Sequence, residues 1–239
     1  AADWLPHLDG IDAVVNASGA LQDTPGQKLA NVQSRAIKAL VQACEDKALG
    51  KFIQISAPGA AGTAEMAFLS TKGEADQALM DSSLDWTVFR PGLVIAPSAF
   101  GGTSLVRSIA AFPLVQPVVY GDRPVQTVSI ADVTDAVVLS LSNPGLSRRC
   151  FDLVESESHT LLGVILAVRQ WLALPPPLCV LNVPTTAAKG LAKIADFAAW
   201  LGWRSALRTT SLAVLAGGIT ADAGQWKTAT GMAPRSLSE

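Results

Sequence analysis

Cysteine and histidine are the side chains of this sequence most readily given a chemistry, as a disulfide or a metal site. Cys44, Cys150 and Cys179 are odd in number and far apart, form no Cys-x-x-Cys, and have only His7 and His159 to help them. Neither a disulfide framework nor a zinc site has support, so no metal is expected and a reducing, cytoplasmic compartment is. Glycine comes next, because a Gly-rich turn opening a helix is where backbone N–H groups take phosphate. Gly59-x-x-Gly62 and Gly101-Gly102 lack the Gly-x-Gly-x-x-Gly spacing and read as loop glycines. Arg90, at a strand end, has the reach for a phosphate or a carboxylate, and a structural ion pair is the preferred reading. Trp171, Trp200, Trp203 and Trp226 read as core or cap packing, since no basic stripe accompanies them.

The elements that must hold any such group follow from periodicity. Ile11 to Asn16 is a short β-branched run ended by Ala-Ser-Gly, the pattern of a buried parallel strand entering a loop. A helix should follow: Thr24-Pro25 offers an N-cap and a first-turn proline, Leu29, Val32, Ala36, Leu40 and Cys44 recur at helical spacing, and Gly50 is the stop. Lys51 to Ala57 is a second strand, Pro58 to Thr63 a loop, and Glu65 to Asp81 a helix, with Thr71 and Glu74 an alternative capping box at a later start. Asp85 to Arg90 is a third strand, stopped by Pro91-Gly92. Residues 98–127 read as an excursion from the sheet, Asp132 as the cap of a short helix rather than an acid, and Cys150 to Glu155 as a returning strand.

From Ser158 the chain reads as mostly helical, with a helix over 160–173, a short strand at Leu178 to Val183, and a helix from Thr186 to Leu201 ending at Gly202. Strands alternating with helices make the class α/β, with a parallel sheet covered on both faces. Residues 1–155 form one domain on this reading and residues 156–239 a small helical one.

Apolar residues make up 49% of the 239 and charged residues 16%, which excludes a disordered chain. A net charge of −2 without a basic block excludes the footprint of a nucleic-acid binder. Pro113, Pro117, Arg169 and Gln170 break the apolar runs short of a membrane-spanning length. Residues 185–239 carry 6 basic and 3 acidic side chains against 12 and 17 before them; a solvated face accounts for this more simply than docking to an anionic surface.

Four stretches, Val14 to Gly19 (VVNASG), Lys51 to Ala57 (KFIQISA), Trp86 to Ser98 (WTVFRPGLVIAPS) and Gln126 to Val133 (QTVSIADV), resemble in this order the short-chain dehydrogenase/reductase superfamily, specifically its extended and atypical NAD(P)-binding branches. The resemblance implies a partial doubly wound parallel Rossmann sheet with NAD or NADP as cofactor. It places Asn16, Ala17, Ser18, Gly19, Ser56, Lys72, Pro91, Gly92 and Leu93 around that cofactor. The family's opening strand, Gly-rich turn and helix have no counterpart here, so the sequence, which opens without Met, reads as a fragment lacking on the order of 60 residues at about 30 per βαβ unit. Weak NAD(P) binding by these residues alone, or none, is the expectation. Leu201 to Thr210 and Gly231 to Leu237 resemble a bacterial subset in which a DoxX-like membrane region sometimes follows. Association with the cytoplasmic face of a bacterial membrane would come only through such a region, and a helical cap over a substrate cleft is the plain alternative.

The family's chemistry uses a Tyr and a Lys four residues apart, hence on one helical face, with a Ser or Thr at the end of the preceding strand. Lys72 fits the Lys, but Phe68 stands at the Tyr position and Ala57 at the Ser/Thr position, one residue past Ser56. Phe has no proton to give and Ala no hydroxyl, so Lys72 and Ser56 remain the catalytic candidates, with Ser70 a further hydroxyl. The 11 residues from Ala57 to Phe68 suit the atypical branch, whose members include NAD(P)H-sensing regulators and quinone reductases. The expected function is hydride transfer between NAD(P)H and a quinone-like or small carbonyl acceptor, because the cofactor carries the reactive chemistry. The rival is a catalytically silent NAD(P)-binding regulator or scaffold.

Overall fold

The structure is a computed structural model that describes residues 2–24, 26–99, 102–200 and 207–238. In chain order the elements are β1 (Ala13–Asn16), α1 (Ala36–Asp46), β2 (Lys51–Ile55), α2 (Ala67–Met80), β3 (Trp86–Pro91), β4 (Leu93–Ile95), α3 (Gly102–Ala110), β5 (Val115–Val118), β6 (Pro124–Val125), β7 (Thr127–Ser129) and α4 (Ile130–Ser142). There follow β8 (Arg149–Leu153), β9 (His159–Thr160), α5 (Leu161–Trp171), β10 (Cys179–Asn182), α6 (Thr185–Trp200), α7 (Thr209–Gly217) and α8 (Gly224–Thr230). Two compact units result, and both are discontinuous in sequence. Where a linear division sets residues 1–155 against 156–239, the first unit takes residues 1–91, 131–153 and 221–233, and the second 92–130, 154–220 and 234–239.

The first unit is built on a parallel sheet of order β1-β2-β3-β8. Strand residues alternate between its faces, as the pleat requires. Phe52, Trp86 and Val88 join Ile37, Leu40 and Val41 of α1 and Ala75 and Leu79 of α2 in one apolar layer. Phe89 and Phe151 turn to the opposite face, where the Trp226 ring of α8 meets them edge-on at 5.7 and 5.3 Å. The sheet is therefore covered on both sides, and Trp226 is core, the packing role expected of it.

Several local expectations are corrected. The first strand begins at Ala13, with Ile11 exposed. Thr24 caps no helix: its backbone pairs with Gln27, and a π-helical turn at Ala30–Arg35 precedes α1. That turn shifts the helical phase, so Gln33 and Ser34 are buried while Val32 and Ala36 are only half-buried. The left-handed residue after α1 is Ala48, φ +51°, rather than Gly50. Thr71 and Glu74 lie inside α2, with Thr71 Oγ1 donating to Ala67 O and Glu74 accepting from Ser34 and Lys38, so no capping box exists there. β3 does end at Pro91-Gly92 as expected, with Pro91 its last residue, paired with Leu153. Asp132 falls in the first turn of α4 rather than before it. Pro25, Gly101, Gly202 and Trp203, with the side chain of Trp200, lie outside the described residues.

The second unit is largely helical, with three two-stranded pieces: β4 with β7, β6 with β9, and β5 with β10. Leu105 and Val106 of α3 pack with Leu161, Val164, Ile165 and Val168 of α5. Gly92 is forced by crowding: a Cβ there would lie 2.5 Å from Gln126 O. Glu155 is buried and accepts from Thr127 N, Thr127 Oγ1, His159 Nε2 and Leu237 N at 2.6–3.0 Å. Burial pushes its carboxyl up, and these bonds outweigh burial and hold it below the usual range. Trp171 is not core but 57% exposed, with the Arg107 guanidinium 4.8 Å from its ring centre. Among the described residues no helix is long and apolar enough to cross a membrane.

Candidate active site

Parallel strands end at one edge of the sheet, and the chemistry of the first unit gathers where β1 and β2 end. Asn16 and Gln54 are register partners on these strands. Buried together, they share a hydrogen bond in which Asn16 Nδ2 donates to Gln54 Oε1 at 2.7 Å. Asn16 Oδ1 in turn accepts from Ser18 N at 3.1 Å and Ser18 Oγ at 2.7 Å. One buried amide thus turns the chain out of the sheet and sets the exposed Ala17–Gly19 backbone.

Lys72 reaches the same place from α2. It is 7% exposed, and its Nζ donates to Ile55 O at the end of β2, 3.1 Å away. A Cβ on Gly19 would stand 3.7 Å from that Nζ and 3.4 Å from Gln33 Nε2. Gln33 completes the wall, donating to Ala20 O at 2.7 Å and accepting from Thr71 Oγ1 at 2.9 Å. Phe68 lies one turn before Lys72 on the same helix, its ring centre 6.0 Å from Nζ. The ring facing Lys72 is thus a phenyl, without the hydroxyl of a phenol.

Behind Lys72, one turn further along α2, Asp76 is buried at the end of β2. Ser56 Oγ donates to Asp76 Oδ2 at 2.7 Å, and Arg90 Nη2 lies 3.4 Å from the same oxygen. Arg90 therefore makes the structural ion pair expected of it. Burial pushes the Asp76 carboxyl above its usual range against the pull of Ser56, Arg90 and Lys72. Burial also lowers the Lys72 amine, with Asp76 acting in the opposite direction. The Ser56 proton is committed to this carboxylate, and the half-buried Ala57 offers no hydroxyl in its place. Ser70 Oγ donates to Ala67 O within its own helix.

Asn16, Ala17, Ser18, Gly19 and Lys72 are brought together, with Ser56 adjacent through Asp76. Pro91 stands at the end of β3, two strands from β1. Gly92 and Leu93 belong to the second unit, where Leu93 N donates to Gln126 O at 3.0 Å and its side chain is core. Gln33, Gln54 and Asp76 escape sequence reasoning because a lone polar residue in a helix or strand reads as surface. For Asp76 the available signal is its i+4 spacing from Lys72.

The residues present fit a nucleotide ribose. A buried ammonium gives one N–H to a backbone carbonyl and has two more to offer, beside the exposed Gly19 backbone. A family described as NAD(P)H-binding matches residues 1–144. No curated protein matches the chain. The enzyme WbmG from Bordetella bronchiseptica, solved with NAD and UDP, superposes with a TM-score of 0.70 at 14% identity, over 99% of this chain and 74% of that one. UDP-glucuronic acid 4-epimerase from Bacillus cereus, with UDP-glucuronic acid and NAD, gives 0.68 at 16%, over 99% and 74%. RMD from Pseudomonas aeruginosa, with NADPH, gives 0.68 at 16%, over 99% and 83%. At these identities the likeness establishes the Rossmann-like α/β fold, and the match over residues 1–144 places the chain in the NAD(P)H-binding family.

Proposed function

We propose that this chain is an oxidoreductase passing hydride from NAD(P)H to a quinone-like or small carbonyl acceptor without a tyrosine acid. The observation that carries the reading is the α2 face, where Phe68 and the buried Lys72 stand one turn apart beside the exposed Gly19 backbone. Lys72 holds and orients the ribose through N–H groups beyond the one given to Ile55 O. Asn16 keeps the Ala17–Gly19 backbone in place against it. When bound, the dihydronicotinamide supplies the hydride. Phe68 excludes water from this face and donates nothing. A ketone that accepts hydride becomes an alkoxide and needs an acid. A quinone becomes a stabilised hydroquinone anion that solvent protonates, so the missing acid favours the quinone.

A second reading, a catalytically silent NAD(P)-binding regulator or scaffold, is favoured by Phe68, Ala57 and the commitment of Ser56 to Asp76. Oxidation of NADH and NADPH, followed by loss of reduced-nicotinamide absorbance with a short-chain quinone and with a small aldehyde, separates the two. Turnover with the quinone is the expected result. Saturable cofactor binding with no turnover of either acceptor establishes the silent reading.

A further inference from the structure

We infer that the second unit carries a binding site for an uncharged aliphatic chain. The inference rests on packing within that unit and does not depend on hydride transfer. Helix α6 is inverted in its use of side-chain size. It buries Ala188, Ala192 and Ala195 and leaves Leu191, Ile194 and Phe197 55–65% exposed. Of the three alanines Ala188 lines, together with Leu191, a cavity of about 350 Å³ between α6 and its neighbours α3, β5, α5 and α7. Packed interiors rarely leave a void of this size.

The lining determines what can occupy it. Ile109, Val118, Ile165, Leu212 and Leu215 contribute branched apolar groups, and among the described lining residues the Ser108 hydroxyl is the one polar side chain, with no charged group. A phosphate, sugar or carboxylate entering there would lose its hydration without replacement hydrogen bonds. A nucleotide or a peptide is therefore the wrong chemistry, and a hydrocarbon the right one. Leu191 and Phe112 line the cavity while 55% and 48% exposed, so it reaches the surface through an apolar mouth. A dry apolar cavity of about 150 Å³ takes one benzene ring, so this one takes a chain on the order of ten to fifteen carbons.

The test is a titration of the purified protein with the neutral fluorophore N-phenyl-naphthylamine, followed by displacement with dodecanol or with UDP. Saturable binding, reversed by dodecanol and untouched by UDP, is expected. Leu191 is largely exposed, so Leu191→Lys keeps the fold and sets a charge at the mouth; it should weaken binding about tenfold or more. Ala188→Phe, which fills the cavity, should do the same while retaining a cooperative thermal transition. No saturable binding by the unmodified protein, unchanged affinity in both variants, or displacement by UDP would each overturn the site. Cofactor oxidation does not enter the readout, so such a failure leaves the hydride-transfer reading standing.

Discussion

Lys72 and Asp76 sit one helical turn apart, and each ties α2 to the end of β2, Lys72 through Ile55 O and Asp76 through Ser56 Oγ. The Asp76 carboxyl is raised by burial, which means the folded chain holds its proton more tightly than the unfolded chain does. Its contribution to stability is complete below the unfolded pKa and is lost as pH rises through the folded one. Denaturant unfolding across that window should show the unmodified protein losing stability relative to Asp76→Asn as pH increases; a difference independent of pH would contradict the assignment. Phe68 and Ala57 carry a second expectation. Phe68→Tyr together with Ala57→Ser should create or raise NAD(P)H-dependent carbonyl reduction by about 10²–10⁴, the usual worth of a positioned proton donor, and Lys72→Ala should remove the gain. Lys72 was legible in the sequence through the family resemblance, which implies a Lys four residues after an aromatic on one helical face. Asp76, Gln33 and Gln54 were not, because their meaning lies in partners 13 to 38 residues away in the chain.

At the scale of elements, α2 is held against the loop before it by the absence of a side chain. A Cβ on Gly73 would fall 2.2–2.5 Å from backbone atoms of Ala61, a contact that can be relieved only by moving the chain. In a free helix Gly73→Ala would gain about 1 kcal/mol of propensity. Here overpacking of about 1–3 kcal/mol opposes it, so chemical denaturation should show no stabilisation and a net loss approaching 2 kcal/mol. A stabilised variant would mean that the loop does not press on the helix. The strands at 51–55 and 86–91 and the helix at 67–80 were readable from apolar runs and turn residues. The start of the helical region before β2 was not, since a π-helical turn adds residues to a turn and moves the buried face onto Gln33 and Ser34. Periodicity computed at a constant pitch cannot follow that shift.

At the scale of the molecule, the first unit was legible because its strand–helix alternation is local and repeats. The second was not. Its pieces come from three separated stretches of chain, and β5 pairs with β10 more than sixty residues later. Short apolar stretches between prolines therefore read as an excursion and a helical tail rather than as one packed body. What makes the first unit an NAD(P)H site in this account is the placement of Lys72 against the Gly19 backbone. Fluorescence titration of NADH and NADPH into the unmodified protein, Lys72→Met and Gly19→Val tests that placement most directly, with far-UV circular dichroism confirming that each variant is folded. Both variants should weaken the preferred cofactor about tenfold or more, Lys72→Met by removing the ammonium and Gly19→Val by projecting a side chain toward it. Equal affinity in all three proteins would contradict the account.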